Sequence, residues 1–451
     1  MKIEDIELDR DKLNQLHQDL LTGGLAYEYG GGRLQLTPPE SKAIGSHSLG
    51  LSNSRIREIQ EAHMQWLTVA YSTLSTSEGR HLVNSLLSRD DIKRIELRHF
   101  SCSRPLYSDE GGYITSTNIT RIDHLYDGKG NILGCDPNLV PMGMGYTNAY
   151  VHGIGSILGD NPFLGNLGIY EERLAAAASI DKEKISGIVT STRYPLWRMH
   201  LYMANLVREK YGLPMYVIPP EAVNSESGQV DIGIVRGLYD RLGINLPSIE
   251  AASQAGTLIR YCRELQTVGN PEVRVVNPAG IRVMESQLWN ALISLPGYGS
   301  FYKRLTGREV DLDLHSKTYI SSALARVNIT RVEIAIGIND NGSFEWENDV
   351  RKLPKYEEMT KPQGTVPRYK GVLKTFSTSG NKGVRRFTGN EDGLVYAMHR
   401  AYVDIYHCSP PVEGAIMLVQ PFVDSIQTFT PGQDLCKLTE WMFFYPVWIM
   451  L

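Results

Sequence analysis

Cysteine is scarce in this chain. Five are scattered through 451 residues (Cys102, Cys135, Cys262, Cys408, Cys436), with no pair at zinc-knuckle spacing. That excludes a local zinc module and reads as a reduced, cytoplasmic protein. A basic excess is missing as well: 46 Lys plus Arg face 50 Asp plus Glu, a net charge of −4. No broad nucleic-acid surface is expected from that balance. The apolar stretch Trp441 to Leu451 falls short of the ~20 residues that span a bilayer as a helix, so no membrane span is expected. It reads as a buried strand, paired inside the fold or across a homodimer. The N-terminus MKIEDIELDRDKLNQL carries no apolar signal core, so the sequons at Asn118, Asn328 and Asn341 read as chance strings. The eleven histidines include no HxH or HxxxH pair. What is present, 42% hydrophobic residues with 42 Gly and 22 Pro, describes an ordinary folded protein of two or three units.

Four stretches differ in character. Residues 1–92 read as helical, because Ile56, Ile59, Met64, Leu67 and Tyr71 recur at helical intervals. Residues 93–170 hold short β-like runs around the turn signal Asp127-Gly128-Lys129-Gly130, then a Gly-rich connector. Residues 171–280 alternate strand and helix and predict a parallel sheet, with strands at ISGIVTS, PMYVIPP, VDIGIVRG and VRVVNP and helices at Leu196–Tyr211 and near Ser248–Leu265. In 281–451, Val332, Ile334, Ile336 and Ile338 alternate with Glu333, Ala335 and Gly337, which predicts a strand with one buried face.

Three patterns carry chemistry. Gly371 to Phe387 is a strand bearing Lys374, a small-residue loop (Ser377, Thr378, Ser379, Gly380, Asn381, Lys382, Gly383) and a second strand. Such a flap can lay backbone N–H groups over a polyphosphate while the lysine adds a point charge, although a plain surface hairpin has the same composition. Ala415 to Val423 is an apolar strand ending in Gln420-Pro421-Phe422, which reads as either an adenine-facing edge or a buried strand stopped by proline. Arg121, Asp123, Asp136 and Asn138 fall on two β-like runs, with the aspartates thirteen apart. Adjacent antiparallel strands at that spacing place hard oxygen donors side by side, as Mg²⁺ requires, and Arg121 shares a face with Asp123. A charged hairpin with an Asx turn fits equally. Gly153-Ile154-Gly155 with Gly159 lacks the spacing of a dinucleotide fingerprint. Cys135 reads as a small core residue.

Taken in chain order, these elements resemble the circularly permuted ATP-grasp ligases, the group that includes glutathionylspermidine synthetase. The order is an Arg-x-Asp strand and an acid-x-Asn strand, a parallel α/β stretch, then a lysine strand, small-residue loop and hinge strand. Val276-Asn277-Pro278-Ala279-Gly280 before VMESQLWNALI resembles the family's junction into the grasp fold. The likeness spans roughly residues 95 to 445 and departs at three places. The family has glutamate where Asp136 stands, and a second register sets Leu133-Gly134-Cys135-Asp136-Pro137 on its Leu-Glu-x-Asn-Pro. Glu285-Ser286-Gln287 occupies a place where the synthetase branch has a lysine. The arginine and asparagine that some relatives supply from a longer tail have no match here.

The resemblance implies an α+β, α/β chain: a circularly permuted ATP-grasp fold with an inserted parallel α/β pre-grasp domain. It implies an ADP-forming carboxylate–amine ligase that uses ATP and Mg²⁺ and takes a small-molecule or peptide carboxylate and an amine. Lys374, Ser377, Thr378, Ser379, Gly380, Lys382 and Gly383 then serve the phosphates. Gln420 and Phe422 serve the adenine, Asp123, Asp136 and Asn138 the metal, and Arg121 the acyl phosphate. Two other classes stay open, a non-catalytic nucleotide-binding scaffold and a sugar-nucleotide transferase centred on the α/β stretch.

Overall fold

The structure is a computed structural model of the chain. It describes residues 4–7, 9–22, 27–29, 33–35, 47–50, 53–87, 97, 121–126, 131–139, 145, 148–149, 152–153, 156–157, 169–179, 185–190, 197–219, 222–223, 230–231, 233–234, 257–259, 274–275, 283–328, 330–353, 356, 371–374, 384–387, 393–406, 414–421 and 449–450. The first part holds β1 (Glu4–Glu7), α1 (Arg10–Thr22), β2 (Tyr27–Tyr29), β3 (Arg33–Gln35), β4 (His47–Gly50), α2 (Asn53–Ser75) and α3 (Ser77–Leu86). The stretch read as helical thus also carries two small antiparallel sheets, β1 with β4 and β2 with β3. Helix α2 extends the expected amphipathic helix at both ends. Its Ile59, Ala62, Trp66, Leu67, Val69, Ala70 and Leu74 are buried, the stripe that a 3.6-residue period lays along one side. Gly153 of the Gly-x-Gly run lies in a short helical turn, where a β-carbon would sit 2.2 Å from the Leu16 side chain of α1, so close packing explains that glycine.

Strands β5 (Arg121–Tyr126) and β6 (Ile132–Asn138) form an antiparallel hairpin, and β17 (Ile449–Met450), the end of the apolar tail, pairs antiparallel with β5. The expected turn at 127–130 lies outside the described residues. Cys135 is buried against Leu125 and Ile320 and is a core residue. Helix α4 (Ile169–Ser179), β7 (Ile185–Val189), α5 (Trp197–Tyr211), β8 (Met215–Ile218), β9 (Thr257–Ile259) and β10 (Arg274–Val275) follow. The strands make a parallel sheet in the order β10-β9-β7-β8.

Two expectations change in this sheet. Within the helix expected near 248–265 the described residues form β9, because Thr257-Leu258-Ile259 is a short apolar, β-branched run that fits a parallel strand between two others. Among the described residues of the strand expected at VDIGIVRG, Val230 makes one bridge with Val223, and Gly233 and Ile234 are helical.

The last part contains α6 (Leu288–Ser294), α7 (Tyr298–Thr306), α8 (Leu312–Thr318), β11 (Ala323–Val327), β12 (Val332–Ile338), β13 (Phe344–Glu347), β14 (Gly371–Lys374), β15 (Val384–Phe387), α9 (Gly393–Tyr406) and β16 (Ala415–Pro421). Its six strands form one antiparallel sheet in the order β13-β12-β11-β16-β14-β15. Period-two alternation gives this sheet two apolar faces. Leu324, Ala335 and Leu418 pack with α2, α6 and α7 around Trp66, Trp289 and Tyr298. Ala323, Ala325, Ile334, Leu373, Met417 and Val419 pack with Leu394, Met398, Ala401 and Tyr402 of α9. Strand β12 is therefore buried on both sides and not on one, since helices cover both faces of its sheet. Glu333 is accommodated there by ion pairs to Arg326 (3.4 Å) and Arg331 (2.6 Å). Gly297, at φ +85°, admits no side chain, because a β-carbon would stand 2.0 Å from the Ile338 carbonyl oxygen. No helix among the described residues is long and apolar enough to cross a membrane.

Candidate functional site

The candidate site lies where β14 meets β16, on the face of the six-stranded sheet that packs with α2, α6 and α7. In β14, Lys374 lies opposite Leu418 of β16, and Val372 lies opposite Gln420. Directly opposed residues of an antiparallel pair project to the same face, and so do residues two apart on one strand. Lys374 and Gln420 consequently share a face as diagonal neighbours on adjacent strands. Leu324 and Leu418 carry that face into the hydrophobic core, with Lys374 level with Leu418 and Gln420 beside Val372 at the next position along the face.

Lys374 is half-buried, and its Nζ donates to Oε1 of Gln287 at 3.1 Å. Gln287 is the N-cap residue of α6 and belongs to a turn whose exposure alternates. Val283, Met284, Ser286, Leu288 and Trp289 are buried, while Glu285 and Gln287 turn outward. Trp289 locks the turn by donating from Nε1 to the Val283 carbonyl at 3.1 Å, and Ser286 Oγ accepts from the Leu288 N–H at 3.3 Å. The two outward side chains therefore emerge from a fixed base. The acceptor facing Lys374 is a neutral amide, which orients the ammonium without cancelling its charge.

Glu285 reaches in the other direction. Its Oε1 accepts from the Leu139 N–H at 2.7 Å, immediately after Asn138 at the end of β6. One rigid turn thus joins the β5–β6 hairpin to the lysine strand. The hairpin is held at two further points of β6. Ile320 N–H donates to Gly134 O at 3.1 Å, and Arg55 of α2 donates to Ile132 O at 2.9 Å. Within the hairpin Asp123 stands opposite Asp136, and Arg121 opposite Asn138, with a bulge between Asp123 and His124. The side chains of these four residues lie outside the description. Among the described residues, no three acidic, histidine or cysteine groups converge on a metal position.

Gln420 is buried, and its Nε2 donates to Ser322 Oγ at 2.7 Å. Ser322, just before β11, in turn donates to the Ile320 carbonyl at 3.1 Å. The loop residues Ser377, Thr378, Ser379, Gly380, Lys382 and Gly383, and also Phe422, fall outside the described residues. Ser322 is added by the structure, which also gives Glu285 and Gln287, noted in the sequence only as standing where the synthetase branch has a lysine, their partners. Gln287 lies 87 residues from Lys374 and Ser322 lies 98 from Gln420, so no local spacing could have pointed to them.

No protein-family description and no curated protein matches this chain in sequence. A solved structure of a glutathione synthetase like-effector from Globodera pallida, in its apo form, is similar in fold. The TM-score is 0.51 at 9% identity, over 92% of this chain and 81% of that one. At that identity the likeness is one of fold alone, and the chain has a mixed α and β fold similar to that of a glutathione synthetase-like protein.

Proposed function

We propose that the chain is an ADP-forming carboxylate–amine ligase on a circularly permuted ATP-grasp fold, with the parallel α/β stretch as an inserted pre-grasp domain. The observation that carries this reading is the register that sets Lys374 and Gln420 on one sheet face. A cation and an amide as diagonal neighbours on one face suit a nucleoside polyphosphate, and the glutathione synthetase-like fold supports the same assignment.

A carboxylate is a poor acyl donor because its leaving group is poor, and phosphorylation corrects that. In the first step a carboxylate oxygen of the substrate bonds to the γ-phosphorus of ATP, the bond to the β–γ bridging oxygen breaks, and ADP leaves. In the second the amine nitrogen bonds to the acyl carbon, the carbon–oxygen bond to phosphate breaks, and the amine's extra proton passes to solvent. Phosphoryl transfer asks a protein mainly for positioning and charge neutralisation. Lys374 supplies charge at the phosphates, and the loop with Ser377, Thr378, Ser379, Gly380, Lys382 and Gly383 lays backbone donors over them. Gln420 and Phe422 border the base, and Arg121 balances charge on the acyl phosphate. Asp123 and Asp136, opposed in register, and Asn138, two residues further along β6, would supply oxygen donors of the kind that suit Mg²⁺. When bound, the ion would shield the phosphate charges.

Nucleotide binding is testable before any substrate is known. A ligand that binds only the native state at 100-fold excess over its dissociation constant stabilises it by ~2.7 kcal/mol. The thermal midpoint is expected to rise with millimolar MgATP and to rise less with ATP alone. An unchanged midpoint would contradict the assignment.

A further inference from the structure

We propose that Ser322 is a positioning residue that makes the site select a 6-aminopurine over a 6-oxopurine. The inference rests on the nucleotide reading above and adds to it the choice of base. A glutamine amide can meet a ligand with either end, donor or acceptor, and the hydrogen bonds at its other atoms decide which. The Ser322 proton is directed to the Ile320 carbonyl at 3.1 Å, so the hydroxyl offers only lone pairs to Gln420. The Gln420 group bonded to it at 2.7 Å is therefore the Nε2 amino end. Oε1 is left as an acceptor with no partner among the described residues.

The chemistry follows from that polarity. A base with an exocyclic 6-amino group donates to Oε1 and completes the amide's hydrogen bonds. A 6-oxo base sets its own acceptor against Oε1. Turning the amide over to suit it would bring Oε1 onto the lone pairs of Ser322, or force the Ser322 proton away from Ile320. Either way a buried polar group loses its partner, and sites built on a required hydrogen bond discriminate strongly for that reason. Both side chains are buried at 2% exposure, so water does not readily replace the lost bond.

Calorimetric titration of the purified full chain with MgATP and MgITP isolates the 6-position, since inosine carries oxygen where adenosine carries the amino group. The wild type is expected to bind MgATP at least ~10-fold more tightly than MgITP. Ser322→Ala frees the amide to turn and is expected to bring the ratio close to one. Ser322→Thr, which keeps the hydroxyl, is expected to restore the preference. Equal binding of the two nucleotides by the wild type would overturn this inference and leave the nucleotide site standing. So would an unchanged ratio in a Ser322→Ala protein with a normal thermal midpoint. Binding of neither nucleotide would overturn the nucleotide reading and this inference with it. Should Ser322→Ala fail to fold, Gln420→Leu tests the same point, because the preference must vanish with the amide.

Discussion

Replacing Lys374 by alanine is expected to weaken MgATP binding roughly 10-fold to 100-fold, with little change in the stability of the nucleotide-free protein. The first half follows from charge. An ammonium on a phosphate oxygen is a charge-assisted hydrogen bond worth about 1.5–3 kcal/mol, and no neutral group substitutes for it. The second half follows from surroundings. Lys374 is half-buried at the end of β14, and its partner among the described residues is the neutral Gln287 amide, so its removal strands no buried charge. Gln287→Glu is the instructive companion. It keeps the hydrogen bond but converts it to an ion pair that competes with phosphate for the ammonium, so it should also weaken MgATP, with a steeper dependence on salt. Titration calorimetry on the three proteins checks both expectations. Equal affinities in wild type and Lys374→Ala would remove Lys374 from the site.

The second large effect is acid destabilisation. His63 is buried between Trp66, on which it stacks, and Tyr319, whose hydroxyl lies 3.3 Å from Nδ1. Burial, and then the neighbouring His124, push its pKa down to about 3. His200 in α5 is lowered to about 4 by burial. His315, stacked on Tyr319, is lowered to about 4, again chiefly by burial. In the unfolded chain each takes up a proton near pH 6.5. Between pH 6.5 and about 4 the unfolded state therefore holds more protons than the folded one, and stability falls as the pH falls. The loss is about 1.4 kcal/mol per pH unit for each histidine, and it levels off below the folded-state values. Three such groups cost on the order of 6–8 kcal/mol by pH 4.5, a large part of the 5–15 kcal/mol that holds a typical protein together. Urea midpoints measured from pH 7.5 to 4.5 should show that decline. His63→Phe, which keeps the stack on Trp66, should make it shallower by about one proton. A flat profile would show that these histidines titrate normally in the folded state.

Much of the site's framework was legible because it is local. Strands β5 and β6 bring Asp123 and Asp136 into opposition as their thirteen-residue spacing suggests, and β14, β15 and β16 fall on the runs read as strands between Gly371 and Phe387 and from Ala415. The misreadings have physical causes. Ser248 to Leu265 carries apolar residues at helix-like intervals, and pairing of β9 between β7 and β10 overrides that local preference. The polar positions of β12 suggested a solvent face, but Ala335 and Gly337 are small and Glu333 is charge-paired, so helices could close over both sides. The partners of the residues that orient the site, Gln287 and Ser322, could not be read from sequence. They act through single hydrogen bonds to partners 87 and 98 residues away, and an outward glutamine or a serine before a strand carries no signal of its own.

Identification of the nucleotide product tests the central proposal most directly. The purified chain would be incubated with MgATP and pools of carboxylates and primary amines, and the nucleotides, phosphate and new amides quantified. The account predicts ADP and one inorganic phosphate per amide formed, dependent on both a carboxylate and an amine and lost in Lys374→Ala. Formation of AMP and pyrophosphate, or MgATP that binds and is never consumed in any pool, would contradict it, the latter being the behaviour of a non-catalytic nucleotide-binding protein.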